Sequence, residues 1–386
     1  MFDVAIVGGG MVGAAAGIGL AQQGLNVVIF ESVLPSPFSP EQSPDMRVSA
    51  INLHSQSLLE SLGVWSEIEK MRLCPFTQMQ VWEDEKALTR FDCAELNQNQ
   101  LGFIIENRLI QLALFNRIKM LQNITVVTEK TIKSVSEGAV ISIQTLDDEL
   151  FESKVLIGAD GGHSQIRNLL KIGSQGWQYQ QHAMGINIKM VDSQQQNITW
   201  QQFTPSGPRA FLPLYGDFAS LVWYDSAERI SELTRLNHSN LKAQIVANFP
   251  QKLADFDILQ VASFPLTRMH ATRYCKNNTV LIGDAAHTIN PLAGQGVNLG
   301  FSDVQVLLNN MQGWDKDVIS VAALLKRYES IRKPQNLLMM STMDAIYATF
   351  SNNIFPLKVL RNAGLKLADK AGPLKKQVMK VALGLT

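Results

Sequence analysis

The chain has 386 residues, enough for two domains with one or two cores. Lys plus Arg and Asp plus Glu both number 34, and zero net charge excludes the basic footprint of a nucleic-acid-binding protein. Cys74, Cys93 and Cys275 are too few and too scattered for a zinc site or a disulfide framework, so no metal is expected and a reduced, cytoplasmic setting is the simple reading.

The chain opens β-α-β. Val4-Ala5-Ile6-Val7 leads into Gly8-Gly9-Gly10-Met11-Val12-Gly13, and a second strand from Asn26 to Phe30 ends in Glu31. In this pattern Gly8 permits a tight turn, Gly10 lets backbone approach a pyrophosphate, and Gly13 lets the helix pack on the sheet. The first helical N–H groups, around Met11 and Val12, then face the phosphates. Glu31 accepts from a ribose hydroxyl and repels a 2′-phosphate, so the pattern suits FAD or NAD, not NADP. The alternative is a glycine-rich packing turn with Glu31 as a solvated strand end. Residues 4–21 carry no charge, but Asp3 precedes them and six of these eighteen residues are Gly. A buried strand, turn and helix is expected there, not a signal peptide or membrane span.

A Pro- and Ser-rich loop from Pro35 to Pro44 ends at Asp45-Met46-Arg47-Val48-Ser49. Leu58, Leu59, Leu62 and Ile68 predict a helix over 53–72, and a second amphipathic helix is expected over 106–121. Short strands should fill 125–157, the last one leading into Gly158-Ala159-Asp160-Gly161. Between about 175 and 268, Trp200, Phe203, Phe211, Leu212, Leu214, Leu221, Val222 and Trp223 fall in strand-like runs broken by Pro205, Gly207, Pro208 and Gly216. That texture predicts an inserted antiparallel sheet. Thr279-Val280-Leu281-Ile282 then precedes Gly283-Asp284-Ala285-Ala286-His287, and residues 297–312 and 317–350 return to helical spacing. Strand followed by glycine, three times, points to one extended cofactor met by backbone at three places. The expected class is α/β, with a discontinuous Rossmann-type cofactor domain (1–72, 106–174 and 276–350), a substrate-binding sheet domain (73–105 and 175–275) and a basic helical C-terminus (351–386).

The candidate residues each have two readings. Asp284 follows a buried strand and needs a hydrogen-bond donor, either a sugar-chain hydroxyl or the helix it would cap. Gly294-Gln295-Gly296 precedes a helix near Val297, whose N-terminus can stabilise a reduced flavin's negative edge by up to about 2 kcal/mol; the alternative is a pair of loop glycines. Arg47 and Arg108 are cofactor cations or surface cations. His287 is a base by type, though its position favours a structural hydrogen bond. Trp200, Phe211 and Trp223, with Pro213, are core or pocket wall. No Ser-His-Asp, Cys-His or metal constellation is visible, and no catalytic side chain is assigned.

Gly8-x-Gly10-x-x-Gly13 with Glu31, Gly158-Ala159-Asp160-Gly161 with Ser164 and Arg167, and Gly283-Asp284-Ala285-Ala286-His287 with Pro291 and Gly294-Gln295-Gly296 occur in that order. Together they resemble the aromatic-ring flavin hydroxylases of the para-hydroxybenzoate hydroxylase fold, over nearly the whole chain. Asp45 to Ile51, Trp200 to Pro205, Ala210 to Leu214, His287 to Gly300, Phe350 to Asn353 and Ala382 to Leu385 are similar to the ubiquinone-biosynthesis hydroxylases, in the branch that acts on demethoxyubiquinol. The resemblance implies non-covalent FAD and hydroxylation of a polyprenyl quinol by a flavin C4a-hydroperoxide formed with O2. Asp284 would hold the ribityl chain, Arg47 and Arg108 would lie near the flavin and its pyrophosphate, and Asp160-Gly161 would close over the cofactor. Pro291, Gly294, Gln295, Gly296, Val297 and Asn298 would border the flavin. His163, where the family pattern differs, is assigned no chemistry. No second GxGxxG is present, so NAD(P)H would dock transiently. Rivals are a hydroxylase of another ring position, a reductase, and a flavin-binding scaffold of a quinone-synthesis assembly; W-x-W-x-I-P, the halogenase signature, is absent.

From Leu357 to Thr386 the chain carries Lys358, Arg361, Lys366, Lys370, Lys375, Lys376 and Lys380 against the single acid Asp369. A basic amphipathic segment suits an anionic membrane surface, which would make the protein peripheral at the inner face of the membrane. The alternatives are a packing helix with a solvated basic face or a docking surface for other ubiquinone-biosynthesis proteins.

Overall fold

The computed structural model describes residues 1–138, 140–191, 196–290, 294 and 296–384. Its first sheet is built around three buried parallel strands, β1 (Phe2–Val7), β2 (Val27–Glu31) and β11 (Leu150–Gly158). β8 (Ile124–Thr128) extends it beyond β2, and β18 (Thr279–Leu281) with β17 (Cys275–Lys276) extends it beyond β11. β9 (Ile132–Ser136) and β10 (Ile141–Thr145) attach as a hairpin to β11. The carboxyl ends of β1, β2, β11 and β18 share one edge, and the chain leaves β1 towards β2 but reaches β11 on its other side. Such a switch point is where open α/β sheets hold ligands.

Helix α1 (Met11–Gln22) is apolar on every side because both of its faces are covered. A Cβ at Gly17 would lie 2.6 Å from Ile29 of β2, and one at Gly19 would lie 2.3 Å from Leu308 of α8 (Gly296–Met311). This sandwich accounts for the uncharged stretch near the N-terminus. The helix expected over 53–72 is two: α2 (Leu53–Ser61) and α3 (Trp65–Met71), separated at Gly63, whose φ of +72° ends the first. α4 (Asn107–Ile118) packs beside α1, and a small sheet of β3 (Val48–Asn52), β4 (Cys74–Phe76) and β7 (Gly102–Glu106) lies nearby.

The second sheet contains eight strands in the order β19-β16-β12-β15-β14-β13-β5-β6. They are β5 (Gln78–Trp82), β6 (Thr89–Asp92), β12 (Ser174–Met190), β13 (Ile198–Gln202), β14 (Arg209–Pro213), β15 (Phe218–Ser226), β16 (Phe256–Ala271) and β19 (His287–Thr288). One face is covered by α6 (Ala227–Thr234) and α7 (His238–Asn248), which bury a large aromatic core. Helix α5 (Gln165–Leu169) follows β11, and α9 (Val318–Phe350) runs back along the molecule. The C-terminus is α10 (Phe355–Asp369) and α11 (Pro373–Leu383). The Rossmann-type layer, the inserted and largely antiparallel sheet and the helical C-terminus expected from the sequence are all present.

Candidate functional site: three backbone loops facing an uncharged sheet

The first loop follows β1. Gly8 has φ +100°, and a Cβ there would lie 2.3 Å from the Ala159 carbonyl oxygen. A Cβ at Gly13 would lie 1.9 Å from the Gly8 carbonyl oxygen. Gly10 differs, because its Cβ position has nothing within 4 Å. Protein packing demands glycine at 8 and 13; at 10 it leaves open space where a ligand would sit. Met11 and Val12 begin α1, and Val12 packs against the backbone of Gly283 and Gly300, which brings the helix onto the third loop. Glu31 turns back from the end of β2, its Oε2 accepting from Gly9 N at 2.7 Å and its Oε1 from Val33 N at 3.1 Å. Oε1 also accepts from Ser32 Oγ at 3.4 Å, so Oε2 is the oxygen that keeps a lone pair for a ribose hydroxyl.

The second loop follows β11. Asp160 accepts from Ser164 Oγ at 2.5 Å, Gln165 N at 2.6 Å and Ile166 N at 3.1 Å. Its carboxylate is therefore spent on the N-terminus of α5, where partial positive charge draws an acid. Gly161, with φ +77° and open space at its Cβ position, is where the backbone can come close to a cofactor. Arg167 is buried and donates to the Gly162 carbonyl at 2.7 Å and the Ala285 carbonyl at 2.9 Å, joining the second loop to the third.

The third loop carries Asp284, which reaches solvent although protein surrounds most of its carboxyl group. No hydrogen bond reaches its carboxylate from the described residues. Desolvation pushes its pKa above the usual carboxylate range, although His287 and Arg47 pull the other way. The loop itself is held from below. Asp303 of α8 is wholly buried and accepts from Gly283 N at 2.9 Å, His287 Nε2 at 2.6 Å, Arg332 Nε at 2.7 Å and Asn336 Nδ2 at 3.1 Å. His287 is thus a structural residue, enclosed by Asp303 and Tyr274. Burial would raise the Asp303 pKa, but His287 and Arg332 outweigh it and hold it at about 2. The sequence reading missed Asp303, Arg332 and Asn336. A signal was present: an acid inside the apolar run that begins α8.

Arg47 is exposed, and its side chain makes no hydrogen bond or ion pair among the described residues. Arg108 is committed elsewhere. It pairs with Asp45 at 2.8 Å and donates to the carbonyls of Ser36 and Pro37, fastening the Pro-rich loop. Arg72 and Glu106, a buried pair at 2.7 Å, fasten the same loop through Gln42, Ser43 and Asp45. Gly294 has φ +64° and packs against Ala50, and Gly296 starts α8 with open space at its Cβ position. Val297 packs into the core. The Asn298 side chain is fully used: it accepts from Asn52 N and Ser55 Oγ and donates to the Ala50 and Gly294 carbonyls, leaving only its backbone to meet a cofactor. Pro291 and Gln295 lie outside the described residues.

The pocket-wall reading of the aromatic residues is corrected. Trp200, Phe211 and Trp223 pack with Phe249 and Ile230 in the core between the second sheet and α6–α7. Pro213 pairs with Ala219 of the same cluster, on the same face by alternation. The Pro-rich loop packs on the other face. There Asn187 donates to the carbonyls of Pro44 and Asp45, and the Cβ position of Gly185 is 3.6 Å from Met46 Cε. Register then puts Gly185 beside Val222, Val222 beside Ala210 and Ala210 beside Gln201. This row is uncharged, Val222 packs against Tyr179 and Tyr224 on the same face, and strand alternation was the signal for the row.

A family model described as an FAD binding domain matches residues 1–341. The chain belongs to that FAD-binding family. It is 44% identical to the 3-demethoxyubiquinol 3-hydroxylase of Escherichia coli (strain K12), over 99% of this chain and 98% of that protein. It is 32% identical to the mitochondrial ubiquinone biosynthesis monooxygenase COQ6 of Xenopus tropicalis, over 99% of this chain and 93% of that one. The fold matches p-nitrophenol 4-monooxygenase PnpA from Pseudomonas putida DLL-E4 with TM-score 0.82 at 17% identity, covering 98% and 96% of the two chains. The protein is an FAD-dependent monooxygenase of the para-hydroxybenzoate hydroxylase type. The described residues fit the FAD-binding family's cofactor: a backbone cradle a Cβ at Gly10 would fill, an acid at the end of β2, and a donor-less carboxylate at Asp284.

Proposed function

We propose that this protein hydroxylates the ring of a polyprenyl benzoquinol of the demethoxyubiquinol type in ubiquinone biosynthesis. The observation that carries this reading is the uncharged row Gly185, Val222, Ala210 and Gln201, on the sheet face that meets the loop ending at Met46. A flat ring can lie on such a surface, and nothing on it competes as a nucleophile. Bound FAD would supply the oxygen chemistry, drawing on O2 and on a nicotinamide reductant that docks transiently.

The chain's own residues bind and orient. Gly10, Met11, Val12, Gly13 and Glu31 would take the pyrophosphate and ribose, and Asp284 the ribityl chain. Gly161, Gly294, Gly296, Val297 and the Asn298 backbone would border the ring system, with Arg47 as the free cation beside it. Asp160 and Arg108 act in this reading by shaping loops. The first N–H groups of α8 would stabilise negative charge on the reduced ring. The division into a discontinuous cofactor domain, an inserted substrate sheet and a C-terminal segment belongs to the same reading. Strand membership supports it, except that β4 and β7 fall in the small sheet with β3 and β19 falls in the second sheet. The expected partners are the quinol, O2 and the membrane surface.

The test is direct. Purified holoprotein is given a panel of ubiquinone precursors under O2 with NADH or NADPH, and products gaining one oxygen are sought by mass spectrometry. Oxygen transfer to a quinol ring supports the reading; stoichiometric FAD with no quinol product from any precursor sinks it.

A further inference from the structure

The C-terminal helices are pinned to the second sheet by one side only. Arg361 of α10 is buried and paired with Glu83, its Nε 2.7 Å from Oε2, while its other nitrogens donate to the Thr349 and Asn352 carbonyls. Asn362 donates to Glu83 at 2.7 Å, Thr89 Oγ1 donates to the Leu365 carbonyl at 2.9 Å, and Arg90 N donates to Asp369 at 3.0 Å. In α11, Lys375 pairs with Glu95 at 2.7 Å, and Met379 and Leu383 are buried. Two of the segment's cations, Arg361 and Lys375, are therefore internal pins.

The opposite side is built differently. Pro356, Leu360, Ala363 and Leu367 recur at spacings of four, three and four, which makes one stripe along α10. Leu360 is 71% exposed and Leu367 70%; on α11, Leu374 is 67% exposed. Lys358, Lys366, Lys370, Lys376 and Lys380 are all exposed, and helical spacing places Lys366 and Lys370 on the flank of the α10 stripe. Asp369, the only acid between Phe355 and Leu383, is turned inward onto Arg90 and Lys375.

We propose that this face lies on an anionic lipid bilayer, with the leucine stripe in the headgroup boundary and the lysines at the phosphates. A contiguous row of exposed leucines marks a binding surface. Lysine is depleted in protein–protein interfaces, whereas lipid phosphates attract it, each cation adding about 1 kcal/mol. Charge complementarity therefore selects a membrane over a protein. Among the described residues no helix is long and apolar enough to cross a membrane, so the contact is interfacial. The inference rests on the quinol reading for its purpose: a polyprenyl tail resides in the bilayer, and the pins tie the membrane face to the sheet that presents the ring surface.

The test uses full-length holoprotein and vesicles of phosphatidylglycerol mixed with phosphatidylcholine, with phosphatidylcholine vesicles as control. Leu360→Ser/Leu367→Ser/Leu374→Ser and Lys366→Glu/Lys370→Glu/Lys376→Glu leave every pin in place, and bound flavin and circular dichroism report their folding. Cosedimentation should be strong only with the anionic vesicles, fall with salt, and drop about tenfold or more in each triple variant. Turnover of a water-soluble short-tailed quinol should be unchanged in both variants, while turnover of a vesicle-borne long-tailed quinol falls. Equal vesicle binding by wild type and variants overturns the proposal, as does a wild-type oligomer that disperses in the leucine variant without any vesicle binding. Failure of the short-tailed reaction in the wild type instead counts against the hydroxylase reading and leaves the vesicle result standing.

Discussion

His287 and Asp303 meet inside the protein, Nε2 to Oδ2 at 2.6 Å, and through them the loop bearing Asp284 hangs from helix α8. The same carboxylate takes Gly283 N and the Arg332 guanidinium, so one buried acid fixes the turn, the histidine and the long helix α9. Buried polar groups of this kind are stabilising only when every member is satisfied. Here the network continues through Asn336 to Tyr274 and from Tyr274 to His270.

His270 makes that network acid-sensitive. Desolvation holds its pKa down at about 4, against 6.5 for the free side chain, with His287, Lys333 and Arg268 adding to the effect. Between those two values the unfolded chain binds more protons than the folded one, so stability falls as pH falls through that window. Asp303, held at about 2 against 3.8 for the free side chain, adds its slope mainly below that window. Urea unfolding of the protein at pH 7, 6, 5 and 4.5 should show a progressive loss of about 2–3 kcal/mol that His270→Gln reduces. An unchanged slope in the variant would assign the acid sensitivity elsewhere.

Two glycines of the first loop should separate folding from binding. A Cβ at Gly10 meets no protein atom within 4 Å, and Gly10→Val should give folded, colourless protein. Gly8→Val forces a Cβ to 2.3 Å from the Ala159 carbonyl and should destabilise the fold itself. Thermal melts and flavin absorbance read the two effects separately. Full yellow occupancy in Gly10→Val contradicts a pyrophosphate at that position.

Asp284→Ala should leave the apoprotein as stable as wild type, since no described residue donates to the carboxylate that is lost. Flavin affinity should fall by about 1.5–3 kcal/mol, the worth of a hydrogen bond to a charged group. Titration of apoprotein with FAD by fluorescence quenching measures it. Equal affinity would mean that Asp284 only caps its own turn.

The two faces of the second sheet should respond oppositely to substitution. Val222→Trp fills the uncharged row and should abolish quinol turnover in protein that still binds flavin. Trp200→Ala opens the core behind it and should cost about 3–5 kcal/mol of stability. Turnover and urea midpoints measured on both variants check the assignment of faces; full turnover by Val222→Trp would move the substrate elsewhere.

The sequence by itself determined the elements whose chemistry is local. Glycine at 8, 13 and 283 reports backbone crowding or positive φ, an acid at position 31 reports a strand end, and the apolar runs report buried parallel strands. Each follows from the residue and its immediate neighbours. The tertiary structure alone decided which side of a strand packs on α6 and α7. Trp200, Phe211 and Trp223 advertised themselves by size, yet bulk marks the core face, and Gly185, Val222, Ala210 and Gln201 became visible only when register aligned four strands. Asp303 and Arg332 are 29 residues apart, and Arg361 and Glu83 are 278 apart. No local rule pairs such groups, because burial pairs charges wherever the chain happens to bring them together.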